Sequence, residues 1–155
     1  MPLDEIDRRI LQQLQQDATA PVAALAEAVG LSPSPCWRRV QRLEQEGYIR
    51  GRVALLDPDR LNVGVTVFVA VRTSQHDLGW LESFAAAVRD FPEVVEFYRM
   101  SGDIDYLLRV VVPDIAAYDA FYKRLIQRVT LSDVSSSFAM ETIKYTTALP
   151  VSYAR

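Results

Sequence analysis

The stretch VGLSPSPCWRRVQRLEQEGYIRG, Val29 to Gly51, sets a glycine and a serine-proline doublet ahead of a tryptophan and an arginine-rich run that closes on Gly47. Ser32 is placed to cap a helix with Pro33 behind it, and that helix stops near Gly47. At about 100° per residue, Cys36, Val40 and Leu43 share one side and Ser34, Arg38, Gln41, Arg42 and Gln45 share the other. Every group in the second set can donate a hydrogen bond to a phosphate or a base edge, while Glu44 and Glu46 sit on its flanks. Taken alone, the helix reads equally well as a solvated face with pairs such as Arg42–Glu46. Cys36 reads as a small buried hydrophobe. Trp37, at the edge of the apolar side, reads more as packing between helices than as a nucleic-acid contact.

The residues upstream break that tie. Asp4 can cap a helix over 4–16, with Asp7 three residues on and Ile6, Ile10, Leu11 and Leu14 at helical spacing. Pro21 suits the first position of a second, short helix whose stripe is Val22, Leu25, Ala26 and Val29, ending at Gly30. Two helices separated only by Gly30 and Leu31 cannot run parallel, and a tight glycine turn between short helices marks a helix-turn-helix. In that setting the helix after the turn is the one offered to DNA, with Ser32 and Ser34 on first-turn N–H groups that attract phosphate.

Downstream the period changes. YIRGRVALLD, Tyr48 to Asp57, reads as a short strand pair or an extended arm, and DPDR at 57–60 is a turn. This puts a boundary at residue 60: a helix-turn-helix domain with a linker arm over 1–60, and a second domain over 61–155. In the second, VTVFVAVRT is a strand and Trp80, Leu81, Phe84, Val88 and Phe91 mark a helix. VVEFYRM and DYLLRVVV are strands, Ile115, Tyr118, Phe121, Tyr122, Leu125 and Val129 mark another helix, and VSSSFAMETIKY is a last strand. The order βαββαβ is the ferredoxin-like arrangement, with helices on one sheet face and the other free. With Phe68, Phe97, Tyr106 and Phe138 among its residues, the sheet needs a partner, and another copy is the simplest.

Composition narrows the function. The chain has 155 residues, a formal net charge of -3 and a pI near 5.2, so any nucleic-acid contact must come from a local patch. Its longest apolar runs are strand-length, and the N-terminus, charged from Asp4, offers no signal-peptide core; a cytoplasmic protein without membrane contact is expected. One cysteine, Cys36, and one histidine, His76, exclude an intramolecular disulfide and a Cys/His zinc cage within one chain. No metal or cofactor is implied. No nucleophile–base pair is visible, and His76 lies in a polar loop, so an enzyme is not expected.

The segments LDEIDRRILQQLQQD, LAEAVGLSPSPCWRRVQRLEQEGYIRGRVALLDPDRL and VVEFYRMSGDIDYLLRVVVPD together resemble the leucine-responsive regulator family, Lrp/AsnC, along the whole chain. The resemblance implies an α+β protein: an N-terminal winged helix-turn-helix joined to a C-terminal βαββαβ ferredoxin-like (RAM) domain. It implies double-stranded DNA as a partner, read by Ser32, Ser34, Trp37, Arg38, Gln41 and Arg42. It further implies an amino-acid effector held between paired C-terminal domains, and homodimers that assemble to tetramers or octamers. The expected effector residues are Met100, Ser101, Gly102, Asp103, Asp105 and Tyr106, with Ser136 and Ser137 from a neighbouring subunit. Gly102 lets a ligand approach the backbone, turn N–H groups suit an α-carboxylate, and Asp103 or Asp105 can pair with an ammonium. The SGD turn, Ser101 to Asp103, also suits a plain hairpin, and Ser135, Ser136 and Ser137 equally suit solvent-facing strand positions. Two departures stand out: Ala20–Pro21 replaces the usual polar cap, and RVTLSDV replaces a Pro-Gly before the last strand. The competing function is a ligand-independent architectural DNA-organising protein.

Overall fold

The computed structural model describes residues 2–155, which divide into two compact units: one built from the chain up to Leu55 together with Lys144–Arg155, the other from Leu56–Ile143. The boundary therefore falls a few residues before the expected 60/61. The last twelve residues, expected in the second domain, return to the first. The reason is a pair of side chains on the first helix. Gln15 both donates to and accepts from the backbone of Leu149, at 3.0 and 2.6 Å, and Arg8 donates to the carbonyl of Ala154 at 3.0 Å.

In the first unit, α1 (Glu5–Gln16), α2 (Val22–Val29) and α3 (Pro33–Gln45) form where the apolar spacing puts them. Asp4 and Asp7 form a reciprocal capping box at the start of α1, satisfying N–H groups that a helix start leaves open. Pro21 precedes α2 as its N-cap rather than as its first residue. Gly30 ends α2 in the left-handed region at φ 76°, a backbone that a side chain strains and glycine does not. Ile10, Leu25, Ala26, Val29, Cys36, Val40 and Leu43 close the core of the three helices. Of the two alternatives for Tyr48–Asp57, the extended arm is the one formed: no strand is found between α3 and Val65.

The second unit is β1 (Val65–Arg72), α4 (Leu78–Arg89), β2 (Val94–Arg99), β3 (Tyr106–Val112), α5 (Ile115–Arg128) and β4 (Asp133–Phe138), the expected order. The sheet is antiparallel throughout, with strand order β2-β3-β1-β4. Asp77 and Asp114 cap the two helices by accepting from the N–H groups of Trp80 and Ala117. Alternation sends Val67, Val69, Val71, Tyr106, Leu108, Val110 and Val112 to the helices, where Phe84 and Phe121 are fully buried. Truncating either phenylalanine to alanine would cost about 3–5 kcal/mol.

Two expectations about this sheet need correction. Phe97, Tyr106 and Phe138 do not lie on its free face: Phe97 and Tyr106 pack on Phe84, and Phe138 meets Tyr118 edge-on at 5.3 Å. Of the four aromatics only Phe68 faces away from the helices, joined there by Tyr98, Leu107 and Val111, which share its side by alternation. β4 also ends at Phe138 rather than running to Tyr145. Its last ladder bond, Ala139 N–H to Thr66 C=O, meets the beginning of β1, and beyond that point β1 has no residue left to pair with it.

Candidate functional site

On α3 the expected donor stripe is only partly free. Ser32 is the N-cap, but its hydroxyl makes no capping bond, and both it and Ser34 are exposed. Prolines at 33 and 35 remove their own N–H groups, and the Cys36 N–H is bonded to the Ser32 carbonyl at 3.3 Å. The first turn thus offers a phosphate the Ser34 N–H and two hydroxyls, fewer donors than an ordinary helix start. Arg38 is exposed and has no hydrogen-bonding or ionic partner among the described residues. Trp37 is 52% exposed rather than packed between helices. Gln41 is half-buried, 3.4 Å from the Glu44 carboxylate, and Glu44 in turn pairs with Arg52 of the arm at 2.6 Å.

Arg42 departs from the expected stripe. Its guanidinium turns inward to the carboxylate of Asp7 at 2.5 Å, and Arg39 bridges Asp4 and Asp7 at 2.6 and 2.8 Å. Asp7 is wholly buried, and five N–H donations reach the two aspartates of the capping box, two from their own backbone and three from Arg39 and Arg42 of α3. The hydrogen bonds from Arg39 to Asp4 and Asp7 raise the Arg39 pKa, and that from Arg42 to Asp7 raises the Arg42 pKa. The backbone N–H of Asp7, with Arg39 second, holds the Asp4 carboxyl below its ordinary value. Helical spacing puts Arg42 beside Arg38; it carries no information on an aspartate 35 residues earlier in the chain.

In the second unit, the turn between β2 and β3 carries the expected effector residues. Ser101, Gly102 and Asp103 are exposed, Met100 is partly so, and Gly102 sits at φ 101° with open space where a Cβ would project. Asp105 has a structural task. It closes the turn through its carbonyl, which accepts from the Met100 N–H at 2.8 Å, while its own N–H reaches Val71 C=O and its carboxylate accepts from the Thr73 N–H at 2.8 Å. Tyr106 is buried against Trp80, Phe84 and Phe97. A cleft of about 310 Å³ opens beside them, lined by His76, Asp77, Arg99, Met100, Asp105 and Tyr106. His76, Asp77 and Arg99 were not among the expected site residues. Strand alternation does carry a signal for Arg99, which shares its side of β2 with the core residue Phe97 and pairs with Tyr106.

Ser136 and Ser137 lie across β1 from that turn, opposite Val69 and Phe68. Ser136 faces the helices, where its hydroxyl is hydrogen-bonded to Tyr118, so it is not open to a ligand on the free face. Ser137 is exposed on that face.

Comparison with known proteins matches both units. Residues 3–50 fit the model of a winged helix-turn-helix DNA-binding domain, and residues 66–149 fit that of the Lrp/AsnC ligand binding domain. The DNA-binding transcriptional activator DecR of Escherichia coli K12 is 54% identical over 150 residues, covering 96% of this chain and 99% of DecR. A crystal structure of an AsnC family transcriptional regulator from Agrobacterium tumefaciens superposes with a TM-score of 0.95 at 64% identity, covering 97% and 99% of the two chains. A transcriptional regulator from Neisseria meningitidis, solved in complex with L-Met, gives 0.92 at 39% identity, covering 96% and 97%.

Proposed function

Because this chain belongs to the Lrp/AsnC family of DNA-binding transcriptional regulators, we propose that it acts in the cytoplasm as a homo-oligomer. In this reading α3 enters the major groove of double-stranded DNA, and an amino acid bound in the second unit tunes that binding. The observation that carries the DNA reading is the exposed edge of α3, where Ser34, Trp37, Arg38 and Gln45 stand clear of any carboxylate pairing. A guanidinium so placed suits bidentate recognition of a guanine edge, and the flanking hydroxyls suit phosphate. A twofold dimer presents two such helices, so the sites are imperfect palindromes with half-sites spaced by whole turns.

The cleft beside the β2–β3 turn supports the effector reading. Arg99, Asp77 and Asp105 are among its lining residues, side chains of both signs as a zwitterion requires. Its neighbour of the same fold from Neisseria was solved with an amino acid.

Selection of duplexes from a random pool by the purified protein tests the DNA reading, with binding of the enriched sequence then measured for wild type and Arg38→Ala. The expected loss is about 1–3 kcal/mol, with relaxed preference at one base position. Equal binding of both proteins to the selected and scrambled duplexes would sink the assignment of α3. Calorimetric titration with each common amino acid tests the effector reading; heat from none would favour the ligand-independent architectural function.

A further inference from the structure

Two arginines of α3, Arg39 and Arg42, spend their guanidinium groups on a buried carboxylate of α1 rather than on solvent, with side chains only 29% and 23% exposed. Their neighbour Arg38 is exposed and unpartnered among the described residues. Burying Asp7 without partners would be costly, and its burial is offset by the paired guanidiniums and the Asp4 N–H. The consequence reaches the outer face of the helix. An arginine held by a buried carboxylate contributes little positive field at the surface and cannot swing onto a phosphate without uncovering that charge.

We propose that Asp7 is a positioning residue for DNA reading: by sequestering Arg39 and Arg42 it fixes α3 against α1 and leaves Arg38 as the only arginine of α3 free to meet DNA. The proposal rests on α3 being the recognition helix. On this account Asp7 serves specificity rather than affinity. It suppresses sequence-independent phosphate contacts, so the helix docks by its Ser34–Trp37–Arg38 edge and not by a broad cationic surface. The acidic sum of the chain, -3 at neutral pH, is consistent with a protein that keeps non-specific attraction low.

The test is the salt dependence of binding to a duplex enriched from a random pool by wild type and to a scrambled duplex of equal length. Each phosphate contact adds about 0.9 to the slope of log K against log salt. Arg38→Met is expected to make the slope shallower by about that amount if Arg38 meets phosphate, or to erase the preference for the enriched duplex if it reads a base. Arg42→Met is expected to leave the slope at its wild-type value. Asp7→Asn, which keeps an acceptor for the Asp4 N–H but discards the charge, is expected to steepen the slope on both duplexes and to lower the enriched-to-scrambled ratio several-fold. A destabilised domain would weaken binding to both duplexes without steepening either slope, so that result overturns the positioning role. An Arg42→Met slope that is shallower by one contact also overturns the proposal, and it does so even if Asp7→Asn fails to fold, since that variant keeps Asp7 paired with Arg39. A wild type that enriches no sequence would instead remove the DNA-reading function beneath it.

Discussion

Asp105 shows how a side chain expected at a ligand can carry a structural task. Its place in the Gly-Asp turn motif is the reason to expect it at a ligand, and it lines the cleft. Its carboxylate is nevertheless the acceptor for the Thr73 N–H, which ties the end of β1 to the start of β3. Removing it leaves a half-buried donor unmet, so Asp105→Ala should lose about 1–2 kcal/mol of stability whether or not a ligand binds. Asp105→Asn keeps an acceptor and should lose less. Urea unfolding of the three proteins checks this, and equal midpoints would show the bond to be dispensable. The cleaner effector variant is Arg99→Met, because Arg99 lines the same cleft and its side chain makes no hydrogen bond or ion pair among the described residues. Ser136 and Arg42 are engaged by partners that spacing does not reveal, for a common reason: sequence spacing tells which residues share a face, whereas the partner that claims a hydroxyl or guanidinium comes from a distant segment. Trp37 erred the other way, because a large apolar side chain at the edge of a stripe has equal claim to core and to surface.

At the level of elements, the apolar period places the helices and most of the strands to within a few residues. Asp4 is legible as a cap and accepts from the first turn of α1, whereas Asp77 and Asp114, which cap α4 and α5 in the same way, carry no apolar signal of their own. What spacing could not convey was where pairing runs out. β4 continues in apolar pattern through Met140 and Ile143, yet these are 94% and 89% exposed, because β1 begins at Val65 and offers no more edge. The free face of the sheet likewise holds a polar cluster that alternation alone would not assemble. Glu96 accepts from Arg109 Nε at 2.5 Å and from the Tyr98 hydroxyl at 2.9 Å. The Arg109 bond, with Tyr98 second, holds the Glu96 carboxyl below its ordinary 4.5. A carboxylate with a depressed folded-state pKa contributes stability that is present above the unfolded value and is lost as pH falls through the folded one. Thermal unfolding of wild type and Glu96→Gln should therefore differ in favour of wild type near neutrality, with the difference shrinking as pH falls below the ordinary carboxyl value of 4.5. A difference that stayed constant over that window would mean that the ion pair does not contribute through its charge.

For the whole molecule, the question is what covers the sheet face that the helices leave open. Phe68 and Tyr98 are 41% and 50% exposed there, with Leu107 and Val111 beside them and the Glu96–Arg109 pair among them. An apolar patch enclosing a satisfied ion pair is suited to a second copy of itself, since a twofold axis sets the same residues against each other and the paired charges need no new partner. Pairing needs about 800 Å² from each protomer to be stable, an area within reach of a four-stranded sheet face with its flanking loops. The expected assembly is at least a dimer, twice the chain mass of 17.5 kDa. Leu107→Glu places a carboxylate on that face without touching the helix-side core, because its neighbours Tyr106 and Leu108 carry the packing. Light scattering at micromolar concentration should give the dimer or a multiple of it for wild type and a smaller species for Leu107→Glu, with circular dichroism unchanged. DNA binding should fall with the dimer, because a single α3 makes half of the contacts and gains nothing from its twin's effective concentration. A wild type that scatters as 17.5 kDa would sink the pairing. A Leu107→Glu variant with the wild-type mass would move the interface to a different surface.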